Sequence, residues 1–205
     1  MKIKVCGLKH EENIRDVLRL NPDYVGFIFY EPSKRYIGQL NADWVAKLDG
    51  AKKTGVFVNS PLEVIDRAIN TYGFEAIQLH GDESPAYCRV LADRGVEIIK
   101  AFGLNDAFDW NTLVPYEEAV DYYLFDTKSA AYGGTGRTFD WGILETNPSD
   151  KPYFLSGGLS DENINEALRL KDGRLYGLDL NSQFEKEPGF KDIERLRKTF
   201  QLIGK

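Results

Sequence analysis

Only two cysteines, Cys6 and Cys88, occur in the 205-residue chain, too few for a disulfide framework in a sequence long enough to do without one. That scarcity points to a reducing compartment, and the expected location is cytoplasmic. Basic residues are not in excess either: 26 Lys and Arg stand against 32 Asp and Glu, a formal net charge of −6. Such a chain has no general field to draw nucleic acid or an anionic membrane surface, and neither is expected as a partner. Any anionic ligand must be held by local groups. Long apolar runs are missing as well. Tyr24 to Tyr30 is the longest near the start and falls far short of the roughly 20 residues of a membrane helix. Lys2, Lys4 and Lys9 interrupt the first residues, which therefore lack the apolar centre of a signal peptide. No Cys/His set has zinc spacing, no Gly-x-Gly-x-x-Gly follows the first apolar run, and no Walker loop occurs. No metal and no nucleotide cofactor is expected.

What is present is an alternation. Eight short runs rich in Val, Ile, Phe and Tyr read as buried parallel strands: Ile3 to Cys6, Tyr24 to Phe29, Lys53 to Val58, Ala76 to His80, Glu97 to Phe102, Tyr122 to Asp126, Tyr153 to Ser156 and Leu175 to Leu180. Between them lie amphipathic stretches such as Pro61 to Tyr72, with Leu62, Ile65 and Ile69 on one face, and Ser84 to Arg94, opened by Ser-Pro. Strands separated by helices imply parallel pairing with right-handed crossovers, and eight such units close into an α/β fold, the (β/α)8 TIM barrel. At about 26 residues per unit the barrel is lean beside the ~250 residues that are typical, so residues 1–205 are expected to form a single domain. A doubly wound open sheet would show the same local pattern.

In either architecture a ligand sits at the carboxyl ends of the strands. There stand Cys6, Arg35, Asn59, His80, Asp126, Ser156 with Gly157 and Gly158, and Asp179 with Asn181 and Ser182. Each has a plain reading beside the chemical one. Cys6 ends the first strand before Gly7, and by composition is a small buried hydrophobe; Cys88 falls mid-helix and has only that reading. Asp126 either caps the following loop or, behind Tyr122 to Phe125, is held against an apolar wall that raises its pKa and keeps a proton available. His80 is either a strand-end histidine satisfied by backbone or a titrating group. Gly157 and Gly158 make a tight turn, or expose backbone N–H groups where barrels commonly hold phosphate, with Asn181 and Ser182 as the other half of the cradle. Arg35, beside Lys34 in an acidic chain, is a solvated surface cation or a fork for a carboxylate or phosphate.

Taken in order, these segments resemble one family, phosphoribosylanthranilate isomerase. The resemblance is carried by Lys4-Val5-Cys6-Gly7-Leu8, Gly26-Phe27-Ile28-Phe29 with Ser33-Lys34-Arg35-Tyr36, Gly55-Val56-Phe57-Val58-Asn59, Gln78-Leu79-His80-Gly81 and Phe125-Asp126-Thr127. It continues through Gly133-Gly134-Thr135-Gly136 with Phe139-Asp140-Trp141, Ser156-Gly157-Gly158-Leu159, Leu178-Asp179-Leu180-Asn181-Ser182 and Pro188-Gly189-Phe190-Lys191-Asp192, and so spans nearly the whole chain.

The resemblance implies a cofactor-independent Amadori rearrangement of N-(5-phosphoribosyl)anthranilate, with a small phosphosugar as the partner and a monomer or homodimer as the working form. It implies Asp126 as the acid that opens the sugar ring and Cys6 as the thiolate base at C2′. It also implies Arg35 near the anthranilate carboxylate, Gly157, Gly158, Asn181 and Ser182 around the phosphate, Asp179 at sugar hydroxyls or the phosphate loop, and His80 as pocket lining. The chemistry agrees, since the reaction needs one donor and one acceptor of protons with pKa values pulled apart. The stretch from Thr127 to Thr138, with Gly133, Gly134, Thr135 and Gly136, is then expected to close over the sugar and exclude water. Three positions depart from the family pattern: Lys34 where proline is usual, Lys9 where threonine is common, and Gln183 where glycine is common. Two alternatives remain at this level. The aminoimidazole-carboxamide ribotide isomerases perform the same rearrangement with two aspartates, against which Cys6 discriminates, and a barrel that binds a phosphosugar without turnover would keep the cradle alone.

Overall fold

The computed structural model describes residues 1–127 and 139–204. Eight parallel strands close on themselves in chain order: β1 (Lys2–Cys6), β2 (Tyr24–Ile28), β3 (Lys52–Phe57), β4 (Ala76–Leu79), β5 (Glu97–Leu104), β6 (Tyr122–Thr127), β7 (Tyr153–Leu155) and β8 (Leu175–Leu180). Closure decides between barrel and open sheet, and the pairing of β8 back onto β1, with Lys4 opposite Asp179, supplies it. The expected strands fall on the observed ones with ends displaced by at most two residues, and β8 matches at both ends.

The connections are less regular than the alternation suggested. Helices α1 (Glu11–Leu18), α2 (Ala42–Ala46), α3 (Leu62–Tyr72) and α4 (Pro85–Ala92) follow the first four strands. Ser84 caps α4 by accepting a hydrogen bond from the Tyr87 backbone N–H, the start that its Ser-Pro sequence signals. After β5 and β6 the chain makes 3-10 turns, Trp110–Tyr116 and Trp141–Thr146. Pro115 lies inside the first, where the missing N–H and the ring disfavour a continuous α-helix. After β7 the helix is only the short α5 (Ile164–Ala167), since Asn163 Oδ1 accepts from the Ser160 N–H and turns the chain first. A small antiparallel hairpin, β9 (Glu185–Glu187) and β10 (Phe190–Lys191), then precedes α6 (Ile193–Ile203), which Asp192 caps through the N–H groups of Glu194 and Arg195.

Strand alternation sorts the side chains into two cores. Ile3, Val5, Val25, Phe27, Leu178 and Leu180 point outward into the larger, between strands and helices. Tyr24, Ala76, Ile99, Ala101, Leu124 and Phe154 form a second cluster inside the barrel, with Tyr122 and Tyr176 stacked at 4.4 Å against it. The interior is thus filled toward the amino ends of the strands. Polar interior positions, Lys4, Cys6, Gln78, Asp126, Ser156 and Asp179, are left toward the carboxyl ends. Both cysteines are free and buried. Among the described residues no helix is long and apolar enough to cross a membrane.

Candidate active site

A cavity of about 380 Å³ opens where those polar positions emerge, and Cys6, Arg35, His80, Asp126, Ser156, Asp179 and Asn181 all line it. A small adjoining pocket is bounded by Asp126, Gly157, Gly158, Asp179, Asn181 and Ser182. Residues far apart in the chain therefore meet at one mouth. Gly133, Gly134, Thr135 and Gly136 lie outside the described residues. Asn59 is absent from the lining; its Oδ1 accepts from the Asp82 N–H at 2.7 Å and orders the loop after β4 instead. Among the described residues, no group of three or more His, Cys, Asp or Glu side chains is placed to hold a metal ion.

Cys6 and Lys4 occupy alternate positions of β1 and so share the interior face. Lys4 is fully buried, and its ammonium donates to Asp179 Oδ1 at 2.9 Å across the β1–β8 seam. Burial pulls the Lys4 pKa down, but the Asp179 carboxylate and the adjacent Cys6 outweigh it and the net direction is up. For Cys6 the balance differs. Burial pushes the thiol up; Lys4 and Lys191 oppose this, Asp179 adds to it, and the pKa stays above its ordinary value. Two cations are thus placed to favour the ionised form of a thiol that burial disfavours.

Asp126 has polar neighbours at both carboxylate oxygens. Its Oδ1 accepts from the Thr127 N–H at 2.7 Å, as the capping reading has it, and its Oδ2 lies 3.5 Å from His80 Nε2, a polar neighbour that neither reading included. His80 Nδ1 is 2.8 Å from Gln78 Nε2. In that amide orientation Nδ1 accepts and Nε2 carries the hydrogen that faces Asp126, an assignment resting on the hydrogen-bond pattern. Gln78 Oε1 is buried without a hydrogen-bond partner. The loop that carries His80 is fixed from behind: Glu83 accepts from the N–H groups of Asn59 and Gly81, and the buried Lys100 sits 3.4 Å from Glu83.

Gly157 and Gly158 both adopt positive φ, 79° and 70°. A Cβ on Gly157 would stand 2.5 Å from Thr127 N and 2.8 Å from Asp126 Oδ1, so this glycine is what lets the β7 loop lie against the acid. With only one turn of helix behind it, the loop offers an anion its own N–H groups and those near Ser182.

Arg35 is not a free surface cation. Its Nε lies 3.0 and 2.9 Å from the two Glu185 oxygens and its Nη2 lies 2.7 Å from Oε2. Glu185 also accepts from Lys191 Nζ at 2.7 Å and from the Gly189 N–H at 3.1 Å. Lys191, fully buried, reaches on to the Asn181 backbone oxygen and Oδ1. Burial drives the Lys191 pKa down and Glu185 opposes it, with a net lowering. Three oxygen acceptors nevertheless require three N–H bonds, which only the ammonium has. Two of the departures from the family pattern meet here, since Lys9 Nζ donates to the Lys34 backbone oxygen and ties down the loop that lacks its usual proline.

Sequence reasoning thus found the residues on the cavity rim and missed those behind them. Lys4 is a charge inside an apolar strand pattern, a signal that alternation with Cys6 could have exposed. Gln78 stands two before His80 and could have been found in the same way. Lys191 fell within a segment that resembles the family but had no role attached, and Glu185 carried no mark, because the hairpin that buries them is short and follows the last barrel strand.

A family model described as N-(5′-phosphoribosyl)anthranilate (PRA) isomerase matches residues 3–202. A curated relative of that name from Parabacteroides distasonis is 43% identical over 206 residues, covering 99% of this chain and 93% of its own length. Among solved structures, the phosphoribosyl anthranilate isomerase of Thermus thermophilus superposes with a TM-score of 0.87 at 27% identity, covering 100% of this chain and 98% of its own. Another isomerase of this kind, solved with reduced 1-(o-carboxyphenylamino)-1-deoxyribulose 5-phosphate, gives a TM-score of 0.83 at 30% identity, with 98% and 97% covered.

Proposed function

The chain belongs to the N-(5′-phosphoribosyl)anthranilate isomerase family, and from that premise we propose how its own residues carry the Amadori rearrangement of tryptophan biosynthesis. The substrate is N-(5-phosphoribosyl)anthranilate and the product 1-(2-carboxyphenylamino)-1-deoxyribulose 5-phosphate. The observation that supports this most is the meeting of Cys6 and Asp126 in one cavity. Asp126, protonated, gives its proton to the ribose ring oxygen as the C1′–O bond breaks and the anilino nitrogen lone pair forms the Schiff base. The ionised Cys6 then takes the proton from C2′. The electrons of that C–H bond form the enolamine, which tautomerises to the ketone.

β6 lies three strands from β1 by way of β8 and β7, one short of diametrically opposite, so the two groups reach the sugar from different sides. His80 faces Asp126 Oδ2 with the ring nitrogen that the Gln78 contact leaves turned toward the carboxylate, and so helps to orient that group. Gln78 holds the His80 ring through its side-chain amide. Asp179 orders Lys4 beside the base and borders both pockets. The N–H groups of Gly157 and Gly158 with Asn181 and Ser182 hold the phosphate, and Arg35 the anthranilate carboxylate. The reaction needs no cofactor, since every step is a proton transfer or a bond polarised by one. The reading further places the enzyme in the cytoplasm as a single-domain monomer or homodimer.

The purified chain is expected to convert phosphoribosylanthranilate with loss of its anthranilate-type fluorescence. Binding of the phosphosugar with no turnover would leave the barrel as a carrier and defeat the proposal.

A further inference from the structure

The fork of Arg35 that the reading above assigns to a substrate carboxylate is already half occupied. A guanidinium has five N–H bonds. The edge formed by Nε and Nη2 is bound side-on by Glu185, at 2.7 to 3.0 Å, and Glu185 is 3% exposed. Nη1 has no hydrogen bond among the described residues, and Arg35 lines the cavity that Cys6, His80 and Asp126 share. A buried carboxylate next to a ligand-binding arginine would ordinarily cancel its charge. Here a second cation prevents that: Lys191 binds the same Glu185 at 2.7 Å. Lys191 then continues to the Asn181 oxygens at 3.2 and 2.9 Å, in the loop expected to hold phosphate.

The chain of contacts Arg35–Glu185–Lys191–Asn181 therefore joins the two places where the substrate's anions would rest. We propose that Glu185 and Lys191 are positioning residues that fix the direction of the Arg35 fork and its separation from the Asn181 loop, and so make the enzyme selective for a phosphosugar amine that carries an ortho carboxylate. The inference rests on Arg35 as the carboxylate-binding residue. The hairpin β9–β10 has a physical reason to exist on this account. It delivers Glu185, Lys191 and the Gly189 N–H to one point, and the carboxylate is satisfied from three sides before any ligand arrives.

The test compares two ligands on each variant: the KM for phosphoribosylanthranilate, and the inhibition constant of N-(5-phosphoribosyl)aniline, which keeps the phosphosugar and lacks the carboxylate. In Glu185→Gln the KM is expected to rise about tenfold, the size of one lost charged contact, while the inhibition constant of the aniline compound moves less than about twofold; Lys191→Met, which also releases the Asn181 oxygens, is expected to weaken both ligands, the carboxylate-bearing one more. Both constants are read on one preparation and neither depends on the fraction of folded enzyme, so partial unfolding does not imitate the result. Equal weakening of both ligands in Glu185→Gln would reduce the brace to a structural role, and an unchanged KM in that variant would remove it; either overturns the proposal. Arg35→Gln serves as the separate control. If that change fails to alter the difference between the ligands, the reading of Arg35 is wrong; if it abolishes the difference and Glu185→Gln does not, the reading stands and the brace falls.

Discussion

At the scale of single residues, the site is a problem of which charges stand beside Cys6. A thiol raised by burial must lose its proton to act, so kcat/KM is expected to climb with pH on its alkaline side as the thiolate fills. Lys4 holds that climb lower than burial alone would. The variant Lys4→Met by itself strips a buried carboxylate of its partner and is expected to cost about 3–5 kcal/mol of stability. Lys4→Met combined with Asp179→Asn removes the pair together, and should move the rising limb to higher pH because the Lys4 cation lowers the thiol by more than the Asp179 carboxylate raises it, while Lys4→Arg should leave it near its native place. A limb that does not move would show that Lys4 only fills space. The sign for stability is opposite. Because the folded state holds the thiol proton more tightly than the unfolded chain, this group's contribution is present below the unfolded thiol pKa and declines as pH rises past it.

At the scale of elements, the loops and not the strands decide whether acid, base and cradle register. Gly157 lies in a conformation side chains resist, and its Cβ would press on Thr127 and Asp126, so Gly157→Ala is expected to lower both melting temperature and kcat, with a stability loss of about 1–3 kcal/mol. Gly26, opposite Cys6 in the β1–β2 pairing, separates the two effects. Its φ is ordinary but a Cβ there would sit 2.7 Å from Cys6 Sγ, so Gly26→Ala should depress kcat through the displaced sulfur more than it depresses phosphate affinity. Inorganic phosphate inhibition measured beside kcat checks this, and equal loss of both would show general disruption. Strands were the most legible elements in the sequence, since eight apolar runs of the right length must pair to bury themselves. The connections were not. The 3-10 turns after β5 and β6 and the single-turn α5 depend on Asp109, Asp140 and Asn163 side chains taking up backbone N–H groups, which no periodicity reveals.

At the scale of the molecule, stability and chemistry occupy opposite ends of one barrel. Phe154, wholly buried between Tyr24, Tyr122 and Tyr176, belongs to the filled end. Phe154→Ala is expected to lower unfolding free energy by about 3–5 kcal/mol in a denaturant titration while KM stays close to native below the new transition; a large KM change would mean that the two ends are coupled. The same separation explains what the sequence disclosed of the site. Strand ends could be read off as a ring of reactive residues, because parallel barrels place them together. The polar braces could not, because Lys4–Asp179 and Arg35–Glu185 join residues 150 or more apart, and only closure of β8 onto β1 brings them into contact.

The division of labour between Asp126 and Cys6 is tested most directly by single turnover of phosphoribosylanthranilate deuterated at C2′, quenched with a hydride reagent that traps the open Schiff base. The native chain should release the deuterium as product forms. Cys6→Ser should retain it and accumulate the trapped Schiff base, and Asp126→Asn should trap none, with turnover in each variant down by roughly 10²–10⁴-fold. Deuterium release at the native rate in Cys6→Ser, or ring opening at the native rate in Asp126→Asn, would contradict the assignment.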